Sequence, residues 1–181
     1  DDSTNTRTLV TIPENNSSRI NYVAEFLASG TTVQSIAIDN LYPAGNYGLF
    51  FWEAWVKITN SALGSLLSSG WGGNHTLLLQ FQNDPSTFTG NVFDGTSSTT
   101  FGSDEGPPLN EWAHVAVGWQ GTDIITYWNG VPVGRKPFTG PNRVSLGGST
   151  ESSMFIAGSD HINFNGRIAQ IRGWEGENPL T

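Results

Sequence analysis

The stretch from Asn110 to Arg135 constrains the fold more than any other part of the chain. It reads Asn-Glu-Trp-Ala-His-Val-Ala-Val-Gly-Trp, then Gln-Gly-Thr-Asp, Ile-Ile-Thr-Tyr-Trp, Asn-Gly and Val-Pro-Val-Gly-Arg. Apolar runs flank Gln120-Gly121, and Asn129-Gly130 separates the second run from a third. A type I′ turn needs φ > 0 at both central residues, and Asn-Gly between β-formers meets that need. The stretch therefore predicts a three-strand antiparallel meander. Its first strand alternates Ala113, Val115, Val117 and Trp119 with Trp112, His114, Ala116 and Gly118. A period of two sends these sets to opposite faces, with the first, bulkier apolar set toward the core and His114 on the other side. Pro132 has no N–H, so its strand lies at a sheet edge or turns the missing donor away from the ladder.

The same parity argument applies to Leu49–Ile58, the strongest central-strand candidate. Phe50, Trp52, Ala54, Val56 and Ile58 form one apolar face, while Phe51, Glu53, Trp55 and Lys57 form a mixed one. One buried face and one that meets water or ligand is what a sheet of a sandwich presents. Further strands are predicted at Arg19–Phe26, Val33–Ile38, Leu63–Leu67, His75–Gln82, Phe88–Phe93, Thr99–Phe101 and Ser153–Gly158. A last strand is predicted at Ile162–Trp174. There Ile168 and Ile171 are three apart, and a bulge near Asn165-Gly166 would account for the break in alternation. The segments Asn40–Gly48, Gly102–Leu109 and Lys136–Thr150 read as loops. Residues 1–18 read as an N-terminal arm whose apolar island, Leu9–Ile12, is able to supply an edge strand.

Composition narrows the class. The chain has 181 residues, enough for one domain that buries about 70% of its unfolded surface. We therefore take 1–181 as a single domain. It opens Asp-Asp-Ser and its one Met is Met154, so we read it as a processed chain or an excised part of a larger protein. Having no cysteine, it has no disulfide, thiolate chemistry or cysteine-ligated zinc. A net charge of −8 with scattered Lys and Arg opposes nucleic-acid partners and anionic membranes. No apolar run reaches the ~20 residues of a membrane-spanning helix. Abundant Gly, Ser, Thr and Asn, with seven Trp, point to an all-β fold.

Four stretches, in order, resemble the laminin-G-like branch of the concanavalin A-like lectin/glucanase superfamily. They are Phe51-Trp52-Glu53-Ala54-Trp55-Val56-Lys57, Leu66-Leu67-Ser68-Ser69-Gly70, the stretch from Pro108 to Gly134, and Gly158 to Trp174 with its Phe164-Asn165-Gly166-Arg167-Ile168 core. The resemblance spans roughly residues 20 to 181. It implies an all-β, two-sheet antiparallel jelly-roll sandwich. It also implies a mostly non-catalytic lineage that binds glycans or proteins, with some glycoside hydrolases and lyases among its members. Fold alone does not choose among these.

The family's glycanases share E-x-D-x-x-E, which sets acid and nucleophile on one strand face. That motif is absent here. Asp104 and Glu105 are adjacent, Glu175 and Glu177 lie in a Gly-rich tail, and Glu53 stands alone on its strand. No enzymatic activity is expected.

Carbohydrate binding calls for a flat aromatic face plus Asn, Asp or His to fix hydroxyls. Trp71, set among Gly70, Gly72 and Gly73, is the first candidate, with Asn74 and His75 following; the competing reading folds Trp71 back as a plug. Trp128 and Trp55 are placed to line a sheet face, whereas Trp52, Trp119 and Trp174 read as core. His114 reads as a structural histidine.

Many relatives hold a structural calcium ion, but the positions where the family tends to carry Asp are here Leu27 and Ala169. The remaining metal candidates are Asp160, Asn163 and Asn165, or Asp94 with Asp104. The alternative makes them turn formers through Asx hydrogen bonds. Asn15, Asn16 and Asn74 open N-x-S/T triplets, which chance explains in so Asn-rich a chain.

The functional expectation is a lectin-like, carbohydrate-binding or adhesion domain of an extracellular, cell-surface or virion-surface protein. Its partner would be a glycan or polysaccharide, or else a protein. The alternative is a structural interaction module, such as a phage or cell-surface appendage; a hydrolase or lyase ranks third.

Overall fold

The structure, a computed structural model, describes residues 8–10, 23–27, 35–38, 46–47, 50–59, 64–69, 77–82, 87–93, 98–103, 106–119, 121–138, 144–145, 154–159 and 162–175. In chain order the strands begin with β1 (Thr8–Val10), β2 (Val23–Phe26), β3 (Ile36–Ile38), β4 (Asn46–Tyr47), β5 (Phe50–Ile58) and β6 (Gly64–Ser69). Next come β7 (Leu77–Gln82), β8 (Thr87–Phe93), β9 (Ser98–Ser103), β10 (Trp112–Trp119), β11 (Asp123–Trp128) and β12 (Val131–Pro137). The last are β13 (Val144–Ser145), β14 (Met154–Ile156), β15 (Gly158–Ser159), β16 (Ile162–Asn163) and β17 (Gly166–Glu175). No helix occurs among the described residues.

Two antiparallel sheets carry the fold. One runs β1-β2-β17-β5-β10-β11-β12 and the other β3-β14-β6-β7-β8-β9. The last strand, β17, inserts between β2 and β5, so it lies within the sheet that also holds the first. This is a two-sheet jelly-roll sandwich. The apolar face of β5, from Phe50 through Trp52, Ala54 and Val56 to Ile58, is buried in the interlayer core with Val115, Val117 and Trp119 of β10. The opposing sheet contributes Leu67, Leu77, Leu79, Phe81, Phe88, Val92 and Phe101. Aromatic pairs close one end, where the Trp119 and Phe138 rings meet edge to face at 5.2 Å. The remaining space between Trp52, Leu67, Leu79, Phe88 and Val115 is about 10 Å³, no more than one water.

The meander forms as its sequence dictates. Asn129 (φ 49°) and Gly130 (φ 79°) both adopt positive φ, the condition for the type I′ turn. β12 is the outer strand, which accommodates Pro132. Its Gly134 lies where the two sheets close on each other: a Cβ there would stand 2.0 Å from the Gly102 carbonyl oxygen of β9. Thr8–Val10 pairs with β2 as an edge strand, as the arm's apolar island allows.

Four segments depart from the sequence reading. Asn40–Gly48 and Lys136–Thr150 are not wholly loop, because Asn46–Tyr47 pairs with Val144–Ser145 across nearly a hundred residues of chain. Two-residue strands have no room for a side-chain period, so nothing in the sequence marks them. Within Gly102–Leu109, Gly102 and Ser103 complete β9. The break in the last strand is also displaced. Phe164-Asn165 separates β16 from β17, which Gly166 opens, whereas the register of β17 on β5 shifts between Ala169 and Arg172, where Gln170 adopts φ 49°.

Candidate functional site

The mixed face of β5 faces away from the core, and its neighbours complete it. Register places Lys57 between Arg167 of β17 and Trp112 of β10, Trp55 between Ala169 and His114, and Glu53 between Arg172 and Ala116. The bulge at Gln170 decides the last of these. A single extra residue inverts the parity of all that follows it. Ile171 therefore packs against the core, and Arg172 emerges on the same face as Arg167.

Glu53, Trp55, Trp112, His114, Asn129 and Arg172 line an open hollow of about 620 Å³ on this face. Glu53 is its electrostatic centre, with a side chain only 13% exposed. One oxygen, Oε2, lies 3.1 Å from His114 Nε2, and the other, Oε1, accepts from Arg172 Nη1 at 3.0 Å. A carboxylate only accepts, so His114 carries its proton on Nε2 and Nδ1 is left for another partner. Arg172 is half exposed, and its Nη2 also donates to Gln170 Oε1 at 3.3 Å. The Trp55 and His114 rings sit 5.4 Å apart, tilted by 57°. Trp55 is 37% exposed. Trp112 is partly exposed and lies diagonally across the strand pair, roughly 7–8 Å from Trp55 by backbone spacing.

Asn129 ties the turn to the site. Its N–H donates to the His114 carbonyl at 2.8 Å, and its Oδ1 accepts from the His114 N–H at 2.9 Å. The residue that takes positive φ for the hairpin thus also clamps the backbone under His114.

The residues singled out from sequence distribute as follows. Trp71, Asn74, His75 and Asp160 lie outside the described residues. Trp128 ends β11 opposite Val115, a core-facing residue; it is half-buried, with its Nε1 sealed from solvent, and it does not line the hollow. Asn163 pairs with Gly158 in a short ladder, and the Asn165 carbonyl accepts from the Thr59 N–H at 3.1 Å. Among the described residues no three His, Asp or Glu side chains gather as they would around a metal ion. Leu27 follows the strand pair Phe26–Gly166, so it stands about 13 Å along the strands from Ala169, too far for side chains at these two positions to share an ion.

From sequence alone Glu53 reads as solitary and His114 as structural, and nothing connects Arg172 to either. Parity alone put Glu53, Trp55 and His114 on solvent-side faces. What it lacked was the register, which makes Trp55 and His114 direct neighbours.

A laminin-G model of the concanavalin A-like lectin/glucanases superfamily matches residues 29–178. The chain belongs to that superfamily. Among curated proteins, no sequence matches it. Solved structures share its fold at low identity. A native heptameric SAP-like pentraxin from Limulus polyphemus aligns with a TM-score of 0.62 and 15% identity, over 84% of this chain and 74% of that one. Domains LG4-5 of mouse laminin alpha1 align with a TM-score of 0.61 and 13% identity, over 82% of this chain and 40% of that one. The CBM40 of the Ruminococcus gnavus IT-sialidase, bound to alpha2,3 sialyllactose, aligns with a TM-score of 0.59 and 16% identity, over 71% and 77%.

Proposed function

We propose that this domain is a non-catalytic, glycan-binding module acting at an extracellular, cell or virion surface. The observation that carries the reading is the hollow on the outer face of the seven-stranded sheet. Trp55 offers an exposed indole beside Trp112, and Glu53, His114, Asn129 and Arg172 surround it with fixed polar atoms. A saccharide ring has an apolar face and an equatorial fringe of hydroxyls. An aromatic platform flanked by pre-positioned hydrogen-bonding groups matches both. The polar groups already hold one another, so little ordering accompanies binding. The R. gnavus module, whose structure holds alpha2,3 sialyllactose, supports the reading at the level of fold.

Hydrolysis of a glycosidic bond usually employs two carboxylates about 5–10 Å apart. The hollow offers one, Glu53, and both its oxygens are engaged. An adhesion surface built on one large apolar patch finds no support among the described residues. The exposed Leu27 and Val131 belong near opposite edges of the sheet, roughly 24 Å apart by strand spacing. Trp71, Asn74 and His75 are retained as a second proposed contact region, and calcium at Asp160, Asn163 and Asn165 as a separate proposal.

The test is a glycan array followed by calorimetry with the best binder, on wild type and Trp55→Ala. We expect Trp55→Ala to weaken binding by about tenfold or more while the thermal midpoint changes little, because the indole is part-exposed. Unaltered affinity in Trp55→Ala would remove the hollow as the site. Silence across a broad panel would remove the glycan reading itself.

A further inference from the structure

The distribution of charge and of hydrogen-bond capacity around Trp55 specifies the ligand further. The three cross-strand rows are Arg167–Lys57–Trp112, Ala169–Trp55–His114 and Arg172–Glu53–Ala116. Cations therefore stand on both sides of the Trp55 row, Lys57 and Arg167 on one side and Arg172 on the other. Three of the chain's eight Lys and Arg residues gather here, on a protein whose net charge is −8. The carboxylates of this face are already committed. Glu25 accepts from Arg167 Nε at 2.9 Å, and Glu53 divides its two oxygens between His114 and Arg172.

What remains for a ligand is mostly donors. A guanidinium has five N–H groups, and Arg172 uses two of them within the protein. Asn129 has its Oδ1 occupied by the His114 N–H, leaving the side-chain amide hydrogens. The Lys57 side chain has neither ion pair nor hydrogen bond among the described residues. A neutral sugar hydroxyl donates as well as accepts, and in such a setting its donor half is offered little beyond the one ring nitrogen, His114 Nδ1. A carboxylate or sulfate only accepts, and charge-assisted hydrogen bonds to Arg and Lys are about twice as strong as neutral ones.

We infer that the hollow takes an acidic saccharide, one bearing carboxylate or sulfate groups within reach of the ring stacked on Trp55. This rests on the glycan-binding reading and narrows it. The Trp55 indole holds the sugar face, Arg172 meets an acidic substituent on one side, and Lys57 is placed for one on the other.

Calorimetry with three matched probes tests this: a uronic acid oligosaccharide, its carboxyl-reduced neutral counterpart, and a sulfated oligosaccharide of similar length. Wild type, Lys57→Gln, Arg172→Gln and Trp55→Ala are compared, with circular dichroism and thermal melts to establish that each is folded. At least one acidic probe should bind about tenfold or more tightly than the neutral one. Lys57→Gln, which breaks no side-chain hydrogen bond or ion pair among the described residues, should reduce that ratio, as should Arg172→Gln. Trp55→Ala should weaken acidic and neutral probes alike. The arm that binds distinguishes carboxylate from sulfate. Equal affinity for acidic and neutral probes, with both lost in Trp55→Ala, would overturn the acidic preference and leave glycan binding standing. Absence of binding by all three and across the wider panel would overturn both.

Discussion

Glu53 holds two partners that are 61 and 119 residues away in sequence, His114 and Arg172. Each was visible in the sequence as a polar residue on a strand, and the first two were assigned correctly to faces away from the core. That they touch is a matter of register, which one strand's alternation does not determine. Asp123 is the contrasting case, a local and mostly solvated pair. Arg135 Nη2 donates to its Oδ2 at 2.6 Å and Thr122 Oγ1 at 2.9 Å. These bonds, that of Arg135 foremost, hold the Asp123 carboxyl below its ordinary value of 3.8. In the unfolded chain Asp123 therefore protonates first as pH falls. The stabilisation is fully present above roughly pH 5 and disappears as pH drops through the folded-state value. Urea midpoints of wild type and Asp123→Asn, measured from about pH 6 to 2.5, should differ most at the upper end and converge at the lower. A gap that widens toward acid would contradict the assignment. Because Arg135 is largely exposed, the effect should be small.

At the scale of elements, the meander and β5 were legible because each carries a full period-two pattern and a turn with its own chemistry. Asn129-Gly130 delivered the type I′ turn, and the same Asn clamps His114, a second role that turn rules do not announce. The bulge was legible as a need but not as a place. Ile168 and Ile171 demanded an extra residue, and Asn165-Gly166 carried the more familiar sequence signal. The extra residue is Gln170, a non-glycine at φ 49° and therefore hard to foresee. Its position controls the site. One further residue inserted after it would return Ile171 to solvent and drive the Arg172 guanidinium toward the Trp52 ring, which already crowds Gly173. Insertion of one alanine after Gln170 should cost about 3 kcal/mol or more, since it would bury an unpaired charge, whereas deletion of Gln170 straightens the strand and leaves both faces as they are. Gln170→Gly, which suits the positive φ, should stay within about 0.5 kcal/mol of wild type in urea unfolding. An insertion variant as stable as wild type would show that the residue count at the bulge does not set the face of Arg172.

Considered whole, the molecule is a sandwich whose two sheets spend their inner faces on one continuous core. Recognition is thereby left to outer faces and to the connections between strands. The sequence directed attention to the connections, through Trp71, Asn74 and His75, since an aromatic among glycines is conspicuous in a linear reading. A site assembled from β5, β10, β17 and the β11–β12 turn has no linear signature at all; it exists only once β17 is threaded between β2 and β5. The most direct check of that site uses the indole N–H resonances of ¹⁵N-labelled protein, titrated with the saccharide that binds best. The indoles of Trp55 and Trp112 should shift or broaden as saccharide is added, while that of Trp119, sealed in the core, stays in place. Saturable binding that leaves both Trp55 and Trp112 unmoved would place the ligand elsewhere on the molecule and contradict the assignment.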